Sequence, residues 1–516
     1  MKKLAWLGLT LTAVYLTTGC YEETNRVQAA PTTYYVATTG SDGNPGTLAE
    51  PWGTIQHAAD NMSAGDTVLV RGGIYEEAVT INVSGSAVDG DVIFRSYVGE
   101  TAVLDGSNLT VPNSDSALFL IDSQSYVTID GFELRNYRSS NSNRVPMGIY
   151  VAGTADHITL QNNTVHAIET TAGASGNAHG IAVYGTESTS TITEIVIRNN
   201  ELFDLKLGNS EAMVLNGNVS DFLIEGNVVH DNDNIGIDLI GFEGTASNTA
   251  VDQARDGVVR GNLVHNIDTI TNPAYGGEQS AAGIYVDGGT RITIEQNQVY
   301  QSNFGIEIAS EHSGRATSEI IVRNNLLYHN HSAGLAMGGY DTNRGSTEDC
   351  FIVNNTFFEN DSNHTGAGEL YVQFDTQNNV IKNNIFYANG QNLFMSNEYT
   401  QNSGNVLDSN LFFATAGAAA GEWQWKTVTY QGFTAYQSGT GNDAHSLFAN
   451  PLLAHTSLPD LHLLVSSPAI DAGENLTEAG SADFDGNGRV NNGRIDLGAY
   501  EFVVLTEAVF LPLAQK

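Results

Sequence analysis

Residues 294–310 read IEQNQVYQSNFGIEIAS and residues 322–339 read VRNNLLYHNHSAGLAMGG, so two short words, one holding an Asn and one opening on Gly, recur in the same order. The first word also occurs as LQNNTVHAI, IRNNELFDL, IEGNVVHDN, VRGNLVHNI, VNNTFFEN and IKNNIFYAN. Its Asn falls at 163, 200, 227, 262, 297, 325, 355 and 384. The second word runs GIYVAG (148), GIAVYG (180), AMVLNG (212), GIDLIG (236), GIYVDG (283), GIEIAS (305) and GLAMGG (334). Both words alternate apolar with polar residues over a few positions, which is the period of a strand and not of a helix. A unit of roughly 30 residues made of short strands and Asn/Gly turns cannot bury its apolar face alone, so successive copies must stack. Asn suits the repeated turn because it tolerates left-handed geometry and its amide can bond the Asn of the next coil. The expected fold is all-β: a single-stranded right-handed parallel β-helix.

Composition agrees with a strand-and-turn protein. Of 516 residues only 15% are charged, while Gly contributes 54. Lys occurs only at 2, 3, 206, 382, 426 and 516, and the formal net charge is −37. Such a surface repels phosphate backbones, so no nucleic-acid partner is expected. A monomer that meets a polysaccharide is the expectation instead.

The start, MKKLAWLGLTLTAVYLTTGC, has Lys2 and Lys3 before an apolar stretch too short to span a bilayer, as an export signal does. Its end, Thr17-Thr18-Gly19-Cys20, resembles the bacterial lipoprotein box, which implies removal of residues 1–19, lipidation of Cys20 and contact with a membrane only through that anchor. The exported chain is thus expected at the cell surface or outside the cell. Cys350 is the one other cysteine, so disulfides do not stabilise the fold, and Cys350 reads as a small core residue.

A linker (20–33) leads to the β-helix, expected over 34–450. GTIQHAADNM (53–62) places Ile55, Ala58, Ala59 and Met62 on one helical face, able to cap the first coil. The segment from YYVATTGSDGNPG to VRGGIYEE resembles the N-terminal part shared by many secreted bacterial β-helix proteins, including family-nine pectate lyases and some β-xylosidases. That implies a pectin-lyase-like fold with a short N-terminal capping helix. SSPAIDAGEN and DFDGNGRVNNGRIDLGAYEF resemble a choice-of-anchor Q module, here 451–502, followed by a tail at 503–516. DFDGNGRVNNGR also imitates a calcium loop, with Asp483, Asp485 and Asn487 at ligand positions one, three and five. Arg494 stands where an EF-hand has Glu.

Stacked strands turn the second word into columns, its second and fourth positions inward and its third and fifth outward. Outward acids occur in three consecutive coils, at Asp238, Asp287 and Glu307, with Glu311 and His312 at the turn that follows. The same coils carry long loops, TITNPAYGGEQSAA with Tyr275 and Glu278, and FEGTASNTAVDQARDG. Insertions in repeat proteins gather beside the working surface. The expected site is therefore a cleft with Asp238, Asp287, Glu307, Glu311 and His312 as catalytic candidates, and Tyr285, Tyr275 and Glu278 against substrate.

Three functions fit. EIASEHS (307–313) resembles the E-I-x-S-x-K-S stretch of β-helical alginate and chondroitin lyases, which implies β-elimination with Glu307 on Ca²⁺ and His312 in the place of the lysine. The departure is that lysine, and GLAMGGYD supplies no arginine; the lyase stays the leading expectation because of the family company of the opening segment. A glycoside hydrolase needs neither Lys nor metal, only two of Asp238, Asp287 and Glu307. A non-catalytic glycan- or matrix-binding surface protein is the third. The fold alone does not choose among them.

Overall fold

The computed structural model describes residues 31–457 and 460–503. The expected export signal and Cys20, like the tail beyond Val503, lie outside the described residues.

Three long sheets wind along one axis. One starts at Thr33–Val36 and Thr67–Val70 and ends at Val406–Asp408. A second runs from Gly73–Tyr75 to Leu447–Phe448, and the third from Val79–Ile81 through the Gly-led words to Glu422–Trp425. Neighbouring strands are parallel throughout the stack, as a coil returning to the same sheet requires. This is a parallel β-helix. The inward positions of the second word, Ile237, Leu239, Ile284, Val286, Ile306 and Ile308, are fully buried in one continuous core. Each such side chain stabilises by roughly 1.5–3 kcal/mol on burial, which is what a coil gains only when it stacks.

The Asn column is a buried ladder. Nδ2 of Asn200 donates to Asn227 Oδ1 (3.0 Å), Asn227 to Asn262 (3.0 Å), Asn262 to Asn297 (2.9 Å) and Asn297 to Asn325 (3.0 Å), and the series runs on to Asn410. One detail differs from expectation. Left-handed geometry belongs to the residue before each ladder Asn, at Asn199, Gly226, Gly261, Gln296 and Asn324. The turn thus divides its two requirements between neighbours: one residue bends the chain, the next bonds across coils.

The leading Gly of the second word has a different reason. A Cβ on Gly236 would lie 2.5 Å from the carbonyl oxygen of Gly283, and one on Gly305 would lie 2.4 Å from that of Gly334. Stacked coils approach too closely there for any side chain.

The helix Ile55–Asn61 caps the first coil as expected, with Ile55, Ala58 and Ala59 buried and Thr54 Oγ1 accepting from the His57 N–H (3.1 Å). At the far end the helix Phe433–Thr440 packs Tyr436 flat on Trp423 (7° between planes) beside Phe394 and Phe412. Residues 474–483 then run back along the coils and residues 496–498 return toward the far end. Asn324, Asn354 and Asn383 donate to the carbonyls of Ala479, Asp496 and Glu474, and Arg489 is buried 3.3 Å from Glu501.

Candidate active site

The acid-bearing strands Ile237–Ile240, Ala282–Asp287 and Phe304–Ala309 are consecutive neighbours in the third sheet. Their register pairs Val214 with Asp238, Asp238 with Tyr285, Tyr285 with Glu307 and Glu307 with Ala336, which is the column expected for the third position. Asp287 pairs with Ala309, one outward position further on, so Asp287 and Glu307 are diagonal neighbours with Cα atoms about 8 Å apart.

Facing outward does not expose these side chains. Asp238, Asp287 and Glu307 keep 2%, 5% and 8% of their surface. Groups from several loops reach them. Tyr275 arrives from the insertion, and its phenol, pushed up to about 12 mainly by burial, feels Glu211, Glu311 and Asp238. Buried Tyr285 lies beside Asp287, Glu307 and Glu311. His312 stands next to Glu311, with its Nε2 buried and without a hydrogen-bond partner among the described residues.

Burial dominates the electrostatics. It pushes the Glu307 carboxyl up to about 8, with Glu311 adding to the shift. Asp287 is driven well above the usual carboxylate range by burial and then Glu311, against which the Glu311 N–H donates to Asp287 Oδ1 (2.7 Å). Asp238 rises well up through burial and then Glu211, Asp287, Glu243 and Glu311, and its Oδ1 has no hydrogen-bond partner among the described residues. Glu311 is raised by burial and held back chiefly by Arg344. So many carboxylates with so few cations cannot all ionise, and near neutral pH the cluster shares protons.

Some members were not anticipated. Glu211 stands one residue before AMVLNG and Glu243 two residues after GIDLIG, at the ends of strand words and not at their outward positions. Burial and then Glu243 push Glu211 up to about 8. His179, one residue before the word GIAVYG, also belongs beside the site: Nδ1 lies 3.5 Å from Glu211 Oε2, and Nε2 lies 3.0 Å from the Tyr184 hydroxyl. An arginine does come to the site, not from the strand GLAMGG but from the loop after it. Arg344 lies over the Tyr340 ring (4.2 Å) and its Nη1 donates to the Glu311 carbonyl (3.2 Å). Glu278 is exposed on the insertion, which sends Tyr275 to the acids instead.

Carboxylates are donors of the kind Ca²⁺ takes. Among the described residues, however, no three His, Cys, Asp or Glu side chains converge as a metal-holding group. In the loop at 483–487, Asp483 Oδ1 accepts from the N–H groups of Asp485 (3.0 Å) and Asn487 (2.7 Å), and its Oδ2 from the Glu501 N–H (2.9 Å). Asp485 Oδ2 meets His462 Nε2 at 2.7 Å. These oxygens are already engaged by protein donors.

Coils, ladder and caps together define a class, the right-handed parallel β-helix proteins. The family model described as "Pel9A-like, right handed beta helix region" matches residues 34–220, and the one described as "Right handed beta helix region" matches 259–443. The Bacillus subtilis protein YwoF is 41% identical over 436 residues, covering 84% of this chain and 91% of YwoF. The chain belongs to the YwoF family. The pectate lyase PEL9 of Emericella nidulans is 29% identical over 143 residues, 25% of this chain and 33% of that enzyme. Among solved structures, the A-module of the mannuronan C-5 epimerase AlgE6 of Azotobacter vinelandii shares the fold, with TM-score 0.50, 14% identity and coverage of 77% of this chain and 93% of that one.

Proposed function

We propose that this protein is a polysaccharide-active enzyme that hydrolyses a glycosidic bond, with Glu307 as general acid and Asp287 as the opposing carboxylate. The observation that carries this reading is the diagonal pair itself: two desolvated carboxyls on adjacent strands, only one of which, among the described residues, receives a main-chain hydrogen bond. Burial raises both carboxyls, so the pair shares a proton near neutral pH; the Glu311 N–H favours the anion at Asp287, and the proton is assigned to Glu307, which burial holds up to about 8. Glu307 then protonates the oxygen of the leaving sugar. Asp287 places negative charge opposite the developing oxocarbenium ion, directly or through a water it activates. No lysine lies between residues 207 and 381, so the base that the lyase resemblance carries is missing there.

β-Elimination is the second reading, favoured by the relative named as a pectate lyase. Against it, the Pel9A-like match ends at residue 220, before Asp238, Asp287 and Glu307 begin the acidic coils. A panel of neutral and uronate polysaccharides, read for new reducing ends and for the ultraviolet absorbance of unsaturated uronate, separates the readings. Reducing ends without absorbance support hydrolysis, and both signals together support the lyase. Silence on every substrate supports a non-catalytic glycan-binding surface protein. Such a substrate fits an exported lipoprotein; metabolic labelling with a fatty acid, lost in Cys20→Ala, tests that location.

A further inference from the structure

Beside the acid pair, toward the N-terminal coils, lies a hollow of about 280 Å³. We propose that this hollow, between His179, Tyr184, Glu211, Asn216, Ile240 and Glu243, is a subsite for one uncharged pyranose of the glycan cleaved at Asp287 and Glu307. The proposal rests on the hydrolase reading for the word "cleaved" and on the hollow's own geometry for the sugar.

A space of this size admits a hexose ring. The hollow is mostly polar, with Val145, Met147 and Ile240 as the small apolar part of its lining. A pyranose can set C–H groups on that part while its rim of hydroxyls meets the polar groups.

The polar groups are held in place by their neighbours. Burial pushes His179 down to about 4, so the ring is neutral. The network assigns its Nδ1–H to the Glu211 carbonyl (3.2 Å), leaving Nε2 to accept from the Tyr184 hydroxyl (3.0 Å). Asn216 Nδ2 donates to Glu243 Oε2 (2.7 Å), while its Oδ1 accepts from Thr245 Oγ1 (2.7 Å). Glu211, Glu243 and Asp115 line the space, and among the described residues no Lys or Arg does. With Glu211 pushed up to about 8, sugar hydroxyls find both a carboxyl proton and carboxyl acceptors. The carboxylate of a uronate finds no cation to pair with.

The test is binding, read by calorimetry on the Glu307→Gln variant so that nothing is cleaved. The ligands are the trisaccharides of xylose, glucose, mannose, galactose, galacturonate and glucosamine. At least one neutral trisaccharide is expected to bind, about tenfold or more tighter than trigalacturonate, and Glu243→Ala or Tyr184→Phe to weaken it about tenfold. Melting temperatures confirm that each variant is folded. Trigalacturonate or the glucosamine trimer binding as tightly, no neutral trisaccharide binding, or neither rim variant altering affinity overturns the subsite. Failure of hydrolysis with neutral binding intact removes the hydrolase reading and leaves the subsite standing; hydrolysis without rim effects does the reverse.

Discussion

The main-chain N–H of Glu311 donates to Asp287 Oδ1 at 2.7 Å, whereas the Glu307 carboxyl on the neighbouring strand receives no such bond among the described residues. Burial raises both carboxyls above the usual carboxylate range, and this bond is the difference between them: it favours the anion at Asp287 alone.

The alkaline limb of activity follows from Glu307. Its proton is held up to about 8 by burial and by the charge of Glu311. Glu311→Gln removes that charge, so the Glu307 carboxyl should titrate lower, and the alkaline limb of kcat/KM should move to lower pH. An unmoved limb assigns the acid elsewhere.

Stability should fall as pH rises across the same interval. The folded-state value of Glu307, about 8, lies above its unfolded value near 4.5, so the folded protein holds the proton more tightly. Its contribution is full below about pH 4.5 and is lost as pH climbs through about 8. Glu211 acts in the same direction. Melting temperatures of Glu307→Gln should decline less over this range than those of the native protein, and parallel curves would refute the assignment.

The Asn ladder offers a test of the scaffold. Asn262 donates to Asn297 Oδ1 and to the Ile224 carbonyl, and accepts from the main-chain and side-chain amides of Asn227. Asn262→Ala leaves buried partners unpaired and should cost roughly 3 kcal/mol or more by urea unfolding. A loss near zero would mean that water replaces the amide.

Arg489 tests the returning C-terminal segment. It is buried against Glu501, so Arg489→Ala strands a buried carboxyl and should cost about 3–5 kcal/mol. Limited proteolysis should then release the segment after residue 460 while the coils resist. Unchanged resistance would place the holding force in the Asn324, Asn354 and Asn383 bonds instead.

Much of this molecule is legible in its sequence, and the reason is periodicity. A residue two positions along a strand faces the same way, and a residue one coil away stands directly above, so the Asp238–Tyr285–Glu307 column follows from counting. What escapes is whatever lies beyond the strand words. Glu211 and Glu243 enter from word ends, and Arg344 from a loop whose path no repeat dictates. Glu278 and Tyr275 share one insertion, yet only the loop's folding decides which points inward. The left-handed turn residue is displaced by one position because geometry and ladder bonding make separate demands that one Asn does not meet. His312 illustrates the same limit: its place beside Glu311 depends on the turn after Ala309, not on the strand before it.

The most direct test of the central claim is the rate of reducing-end release by the native protein, Asp287→Asn and Glu307→Gln on one cleavable polysaccharide. Both substitutions keep shape and remove a titrating group, and each should lower kcat by about 10²–10⁴-fold with the melting temperature held or raised. Native rates in both folded variants would contradict the assignment of acid and opposing carboxylate, and with it the proposed hydrolysis.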